Sequence, residues 1–169
     1  MLDCAEPVLG PERAAWQYPV RSIIEQGGRV CFGSDWFVAP LDPLYGIEAA
    51  VTHTLPASLP LHSAHSESDG GDESRYRQPW NASQCISVEE AIKFYTLNSA
   101  WMSFCESESG SLEVGKSADI VILSQNILDI EPSRIHATSV LVTIADGKIV
   151  YRHPRLRLES LIRPGASGS

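Results

Sequence analysis

The sequence predicts an α/β fold, in which helices and a strand are followed by a β-rich C-terminal part. Within residues 18–52, a helical pattern, a short apolar run and a second helical pattern follow one another. Later in the chain, "ADIVIL" and "SVLVTIADGKIVY" are apolar or alternating runs. The second run contains Asp146-Gly147, a dipeptide typical of hairpin turns. With 169 residues, 43% of them hydrophobic, the chain is long enough to bury one core.

The stretch "YPVRSIIEQGGRVCFGSD" predicts a helix followed by a strand. Pro19 suits a first helical turn, and Gly27 with Gly28 ends the helix. Residues 30–32 form a short apolar run of the kind found in buried parallel strands. The run ends in a glycine, so Asp35 is expected to follow the C-terminal end of a strand.

The next helix, "PLYGIEAAV", is predicted from its first residues. Asp42 followed by Pro43 is a strong N-terminal signal, because the aspartate caps the helix and the proline suits the first turn. The helix ends near His53, whose ring we expect to interact with the helix macrodipole. The predicted order is therefore helix, strand, short loop and helix.

The middle of the chain is predicted to be a mobile surface loop followed by a capped helix. Residues 56–84 are rich in proline and serine and contain the acidic run "ESDGGDE". His62 and His65 have a spacing that metal ligands use, but a loop with no helix to hold the rings favours a solvated pair. In "SVEEAIKFYTLNSAWMSF", Ser87 and Glu90 form a capping box before an apolar stripe, which predicts a helix.

Composition narrows the classes of function. The formal net charge is −8, from 21 acidic and 13 basic residues, which disfavours nucleic-acid binding because phosphate neutralisation needs clustered Lys and Arg. The 4 cysteines include no C-x-x-C pair, so neither a zinc ribbon nor a redox motif is present. No signal peptide and no apolar run near ~20 residues is evident. We expect a cytoplasmic protein that binds neither nucleic acid nor membranes.

The stretch "GSLEVGKS" matches the phosphate-binding pattern G-x-x-x-x-G-K-[ST] from Gly110 to Ser117. Such a loop must join a strand to a helix, whereas here a predicted helix precedes it and the β run "ADIVIL" follows. Glu113 would also place a carboxylate against the phosphates. We therefore expect Gly110 to cap a helix and Gly115 to make a turn into a strand, and a nucleotide-binding protein is the least favoured function.

Four stretches in order carry a resemblance to a known family: "YPVRSIIEQGGRVCFGSDWFVAPLDPLYGIEAAV", "SVEEAIKFYTLNSA", "GSLEVGKSADIVIL" and "ADGKIVY". Together they resemble the C-terminal part of a metal-dependent amidohydrolase. The resemblance is to the amidohydrolase 3 group, which is related to N-substituted amino acid and formamide deacylases, and it runs from about residue 9 to residue 151. Each stretch alone is weak evidence, but their shared order is specific.

The resemblance implies an incomplete C-terminal piece of a TIM-type (β/α)8 barrel followed by β-sandwich strands. Residues 1–109 would belong to the barrel, with residues 30–32 as its last strand. Residues 110–153 would supply β-sandwich strands, and residues 154–169 would form a flexible tail. The implied activity is metal-dependent hydrolysis of non-peptide carbon–nitrogen bonds in small amides.

By the same resemblance, Asp35 is the candidate catalytic residue and metal ligand. The family's aspartate at this position lies at the metal, with zinc the expected ion, and takes the proton from the attacking water. A divalent cation keeps a neighbouring carboxylate ionised and lowers the pKa of its bound water toward ~7. The alternative is that Asp35 caps the turn after the strand. Trp36, Phe37 and Pro40 would line a substrate pocket or pack on the barrel rim.

Most of the family's metal site is missing from the sequence. No two of the 5 histidines are separated by a single residue, so the H-x-H motif of the first barrel strand is absent. A barrel also needs about 200 to 250 residues. The chain alone is therefore expected to be inactive. It would be a fragment, a subunit whose barrel is completed by another chain, or a non-catalytic remnant, and a non-catalytic α/β interaction module is the alternative function.

Overall fold

The computed structural model describes residues 2–59 and 77–156. Five helices precede a small sheet in this part of the chain: α1 Leu2–Ala14, α2 Val20–Glu25, α3 Pro43–Thr52, α4 Val88–Tyr95 and α5 Leu97–Met102. The strands are β1 Ile120–Leu123, β2 Val140–Ala145 and β3 Lys148–Arg152, and 3-10 helices span Ala82–Gln84 and Pro132–Ala137. The mixed α/β prediction is thus confirmed. No described helix is both long and apolar enough to cross a bilayer.

Glycine interrupts the first helix, and proline and glycine flank the second. Helix α1 is interrupted at Gly10, whose φ of 74° is outside the helical region. Helix α2 begins after Pro19, which occupies the N-cap position immediately before the first turn. Gly27, with a φ of 79°, lies just beyond the end of α2, as the sequence predicts. A left-handed φ at this point costs glycine little, and it stops the helix.

The prediction of a strand at residues 30–32 is wrong for the described chain, because this segment pairs with no strand there. Its backbone is satisfied instead by the corner between α4 and α5. Asn98 Nδ2 donates to Val30 O at 2.6 Å, and Ser99 Oγ donates to Phe32 O at 3.1 Å. The amide of Phe32 donates to Phe94 O at 3.1 Å. A strand requires a neighbour in a ladder, and none of the described strands lies beside this segment.

Helix α3 begins and ends as predicted. Asp42 caps it by accepting a hydrogen bond from Leu44 N at 2.9 Å, and Pro43 occupies the first turn. His53 follows the helix as its C-cap, with a φ of 50°. The ring Nδ1 of His53 lies 2.8 Å from Trp80 O. His53 therefore joins the end of α3 to the chain that resumes at residue 77.

The capping box at the start of α4 is confirmed, but the predicted long helix is broken. Ser87 Oγ accepts from Glu90 N at 3.2 Å, and Ser87 N donates to Glu90 Oε2 at 2.8 Å. At Thr96 the backbone leaves the helical region, with φ −117° and ψ −91°, which separates α4 from α5. The Thr96 hydroxyl donates to Ile92 O at 2.8 Å. This local bond competes with the helical backbone pattern and bends the chain.

The predicted hairpin is confirmed as part of a three-stranded antiparallel sheet, ordered β1-β2-β3. Strand β2 is central and pairs Ile144 with Ile120 of β1 and with Ile149 of β3. Asp146 and Gly147 have positive φ values of 49° and 72°. Two positive φ values in a two-residue hairpin loop match the turn twist that antiparallel strands prefer.

The hydrophobic core lies between α3, α4 and the 3-10 helix Pro132–Ala137. It contains Leu44, Ile47, Ile86, Ala91, Phe94, Ile127 and Ile135. Phe32 packs against this cluster and meets the Phe94 ring edge-to-face, with 5.4 Å between centroids. The segment that precedes Asp35 is therefore anchored in the core, although it belongs to no sheet formed by the described residues.

The ion pair between Arg21 and Glu90 makes stability depend on pH in the acid range. Arg21 Nη1 and Nη2 donate to the two carboxylate oxygens at 3.0 and 2.7 Å. The bond from Arg21, followed by that from Ser87 N, holds the pKa of Glu90 below its ordinary value of 4.5. The unfolded chain has the higher pKa, so the pair stabilises the fold above pH 4.5 and loses this effect as pH falls below that value.

We expect Glu90→Gln to lower the free energy of unfolding at neutral pH by about 1 kcal/mol, because the pair is partly solvated. Urea unfolding at neutral pH and at about pH 3.5 measures the effect. The variant should lose less stability on acidification than the wild-type protein. Equal losses in the two proteins would show that Glu90 does not contribute to the acid dependence.

The structure describes only parts of the predicted mobile loop and of the predicted C-terminal tail. The predicted mobile loop, residues 56–84, is described only at its ends, and His62 and His65 lie outside the described residues. At those ends, Arg77 Nη1 donates to Leu55 O and Pro56 O at 2.8 and 2.7 Å. The predicted tail, residues 154–169, is described only to residue 156.

Candidate active site

Asp35 lies on an exposed turn that directly follows the anchored segment 30–32. Its carbonyl oxygen accepts a hydrogen bond from Val38 N at 2.7 Å, which closes a turn over residues 35–38. Asp35 has a φ of 49°, a conformation that aspartate tolerates better than most residues. Asp35 therefore lies on a turn, and not at the end of a paired strand as the sequence predicted.

The Asp35 carboxylate makes no hydrogen bond or ion pair within the described residues. The capping alternative requires this carboxylate to accept a hydrogen bond from the backbone that follows, as Asp42 does from Leu44 N. The turn at Asp35 is closed by the main-chain carbonyl instead. The side chain therefore remains available to water or to a ligand, and its assignment as base and metal ligand stays a prediction.

Apolar side chains follow Asp35 on the same turn and project into solvent. Trp36 is 64% exposed, Phe37 is 85% exposed and Val38 is 78% exposed. Pro40 is half-buried. Within the described chain, the side chains of Trp36, Phe37 and Val38 are not packed into the core. Any molecule or segment that packs against them is therefore a ligand or another part of the polypeptide.

The described residues hold no group of three or more His, Cys, Asp or Glu side chains arranged to bind a metal. His53 contacts a main-chain carbonyl, and His153 Nδ1 accepts from Arg155 N at 3.2 Å. His136 contacts Glu48. A catalytic zinc uses three protein ligands and a water. Asp35 can provide one such ligand, and the described part of the chain does not complete the set.

A buried pair between Glu48 and His136 was not predicted from the sequence. Glu48 is 1% exposed, and its Oε2 lies 2.9 Å from His136 N and 2.7 Å from His136 Nδ1. The Tyr45 ring stacks on His136 with 5.7 Å between centroids. One sequence signal was present, since Glu48 follows Leu44 by one helical turn on the buried face of α3. The pair joins α3 to the 3-10 helix Pro132–Ala137.

The "GSLEVGKS" loop carries no phosphate cradle. It runs from the turns after α5 into the segment that leads to β1, so no helix begins beside its lysine. Lys116 Nζ donates to Ser111 Oγ at 2.7 Å within the loop, and its side chain is 12% exposed. Gly115, with a φ of 99°, makes the predicted turn. The prediction that Gly110 caps a helix is wrong, because α5 already ends at Met102 and Gly110 packs back against Ala100.

Comparison with known proteins places this architecture in a family. The model of the Amidohydrolase family, the amidohydrolase 3 group, matches residues 1–151. YtcJ of Bacillus subtilis (strain 168), named as an amidohydrolase, is 32% identical over 143 residues, which cover 85% of this chain and 24% of YtcJ. The N-substituted formamide deformylase of Arthrobacter pascens is 30% identical over 134 residues, which cover 79% of this chain and 21% of the deformylase.

A solved amidohydrolase from Thermotoga maritima MSB8 superposes with a TM-score of 0.50 at 21% identity, which shows a shared fold. The match covers 80% of this chain and 26% of the solved chain. The chain therefore spans about a quarter of the length of these relatives. The resemblance seen in the sequence is confirmed, and the chain belongs to the Amidohydrolase family.

Proposed function

We propose that this chain is the part of a metal-dependent amidohydrolase that supplies Asp35, and that the whole protein hydrolyses a non-peptide carbon–nitrogen bond in a small amide. The observation that carries the proposal is the exposed carboxylate of Asp35, which has no protein partner in the described chain and lies directly after the anchored segment 30–32. Membership of the Amidohydrolase family supports the reaction class.

This chain is proposed as the C-terminal piece of a TIM-type barrel, although residues 30–32 form no strand within the described chain. The match of most of this chain to about a quarter of a solved amidohydrolase supports this arrangement. So does the location of Asp35, because barrel enzymes place their chemistry in the loops after the strands. The sheet of β1, β2 and β3 is proposed as one part of the accompanying β-sandwich.

Asp35 is proposed as one metal ligand among several that other parts of the protein provide. The described residues do not fit a complete metal site by themselves, because they contain no group of three potential ligands. The identity of the ion therefore rests on the family, for which zinc is expected.

The carboxylate of Asp35 accepts a proton from the attacking water as the water oxygen forms a bond to the carbonyl carbon of the amide. The carbon–nitrogen bond then breaks, and the same proton passes from Asp35 to the leaving nitrogen. The products are a carboxylic acid and an amine, and Asp35 returns to its starting charge. Solvent exposure on the turn lets water reach the Asp35 carboxylate.

We expect Asp35→Asn to reduce kcat by about 10²- to 10⁴-fold, because an amide side chain cannot accept the proton. The experiment uses the full polypeptide that carries this chain, with zinc added, and a panel of N-acyl amines and N-acyl amino acids. The thermal midpoint of the protein without added zinc should be unchanged, since the replaced carboxylate makes no contact in the described chain. Glu106→Gln, at another exposed carboxylate, is the matched control and should retain full activity.

Equal rates in the wild-type protein and the Asp35→Asn variant would remove Asp35 from the mechanism. If the wild-type protein hydrolysed none of the panel, the alternative of a non-catalytic interaction module would be favoured over the hydrolase. The two results separate the role of one residue from the activity of the whole protein.

A further inference from the structure

We propose that Asn98 and Ser99 are positioning residues for Asp35. Their side chains hold the backbone of residues 30–32, and so fix the place from which the turn that carries the candidate base begins. This inference rests on the proposed function, because it takes Asp35 as the base. The contacts that carry it join residues that the structure describes, so they do not depend on the rest of the longer protein.

Two adjacent side chains in the first turn of α5 donate to the segment before Asp35. Asn98 Nδ2 lies 2.6 Å from Val30 O, and Ser99 Oγ lies 3.1 Å from Phe32 O. The two bonds span three consecutive residues, so they fix the direction of the segment as well as its position. A carbonyl oxygen has two lone pairs, and these bonds therefore leave each carbonyl able to accept a second hydrogen bond.

The end of α4 completes this anchor through one main-chain carbonyl. Phe94 O accepts from Phe32 N at 3.1 Å and from Ser99 Oγ at 2.7 Å. Because a hydroxyl has one proton, Ser99 shares it between Phe94 O and Phe32 O. The Ser99 hydroxyl therefore ties the segment to α4 as well as to α5, while Asn98 supplies a donor of its own.

The burial of Asn98 indicates that its amide has a specific task. Asn98 is 5% exposed, and a buried amide costs free energy unless it is hydrogen-bonded. The ring of Phe32 also packs on Phe94, but apolar contacts are not directional. Hydrogen bonds have narrow ranges of distance and angle, so the bond to Val30 O sets the register of the segment against α5.

A shift of the anchored segment is passed on to Asp35. Only two residues separate Phe32 from Asp35, and the turn that follows is closed on itself by the bond from Val38 N to Asp35 O. A displacement of about 1 Å in a reacting group can reduce a rate by about 10²-fold. Asn98 and Ser99 thus act through the backbone, without contacting the reacting atoms.

Hydrogen exchange and steady-state kinetics on the full polypeptide, with zinc added, test this inference. In Asn98→Ala and in Ser99→Ala, the amides of residues 30–35 should exchange about tenfold faster. On the same amide panel, kcat should fall about tenfold while KM stays within about twofold of the wild-type value. Ser109→Ala is the matched control, because it removes a half-buried hydroxyl that donates to Cys105 O and should change neither quantity.

A double-mutant cycle with Asp35→Asn separates positioning from a general loss of structure. If Ser99 acts through the Asp35 carboxylate, Ser99→Ala should slow the Asp35→Asn protein by less than about twofold. A merely structural role would slow the wild-type and the Asp35→Asn proteins by the same factor. Ser99→Ala also keeps the test decisive if Asn98→Ala does not fold, since Ser99 is only half-buried.

The inference is overturned if Ser99→Ala slows hydrolysis no more than Ser109→Ala, if it leaves exchange at residues 30–35 unchanged, or if its effect on kcat is the same in both backgrounds. A failure of the proposed function would look different, because the wild-type protein would then hydrolyse none of the panel or Asp35→Asn would keep the wild-type rate. The positioning role would fail with it, and hydrogen exchange would still measure the anchor itself.

Discussion

Replacing Glu48 by alanine is expected to lower the free energy of unfolding by about 3–5 kcal/mol, a large fraction of the stability of a typical domain. The Glu48 carboxylate is nearly inaccessible to water and accepts from both the backbone N–H and the ring of His136. Alanine would remove both hydrogen bonds and leave a cavity between α3 and the 3-10 helix Pro132–Ala137. Guanidinium unfolding followed by circular dichroism measures the loss.

Two variants make the result specific to the buried contact. Glu48→Gln keeps the shape and one acceptor oxygen, so we expect a loss of only about 1–2 kcal/mol. Glu106→Ala removes an exposed carboxylate and should change stability by less than about 0.5 kcal/mol. If Glu48→Ala lowered the free energy of unfolding no more than Glu106→Ala, the Glu48–His136 pair would not stabilise the contact between α3 and the 3-10 helix Pro132–Ala137.

The second large effect is expected at Gly110, where alanine should cost about 3 kcal/mol. Gly110 has a φ of 87°, and a Cβ added there would lie 2.6 Å from Ala100 Cβ and 3.0 Å from Leu97 Cα. Alanine would therefore combine backbone strain with an overlap against the start of α5. The neighbouring atoms belong to a helix backbone and a short side chain, which cannot rotate away. Urea unfolding measures the change.

Gly115 is the matched control, because it shares the positive φ without the close contact. Its φ is 99°, and a Cβ added there meets no atom within 4 Å. Gly115→Ala should therefore cost only the conformational part, about 1 kcal/mol. If the two alanine variants lost the same stability, packing of Gly110 against α5 would be excluded as a contribution.

The features that sequence analysis predicted correctly depend on neighbouring residues. The Asp42 cap, the capping box of Ser87 and Glu90, and the turn at Asp146-Gly147 each use hydrogen bonds or φ values within a few residues. Such contacts form wherever the right residues follow one another, so one stretch of sequence suffices to predict them. The family was recognised for a related reason, since an ordered series of these local motifs is specific.

The incorrect predictions of secondary structure concern segments whose conformation depends on contacts with residues distant in the sequence. Residues 30–32 are apolar enough for a strand, but their backbone bonds to Phe94, Asn98 and Ser99 rather than to a neighbouring strand. The helix predicted from residue 87 breaks at Thr96, beside the place where Gly110 returns to pack. Neither the available partners nor the returning chain can be read from the local pattern.

For the candidate site, the sequence by itself determined the family, through an ordered set of amidohydrolase motifs, and predicted Asp35 as the site residue. Only the tertiary structure decided that the Asp35 carboxylate is exposed, that Trp36 and Phe37 face solvent, and that Glu48 meets His136 across 88 positions of sequence. Exposure and long-range contact depend on how the whole chain packs, whereas motifs depend only on the order of residues.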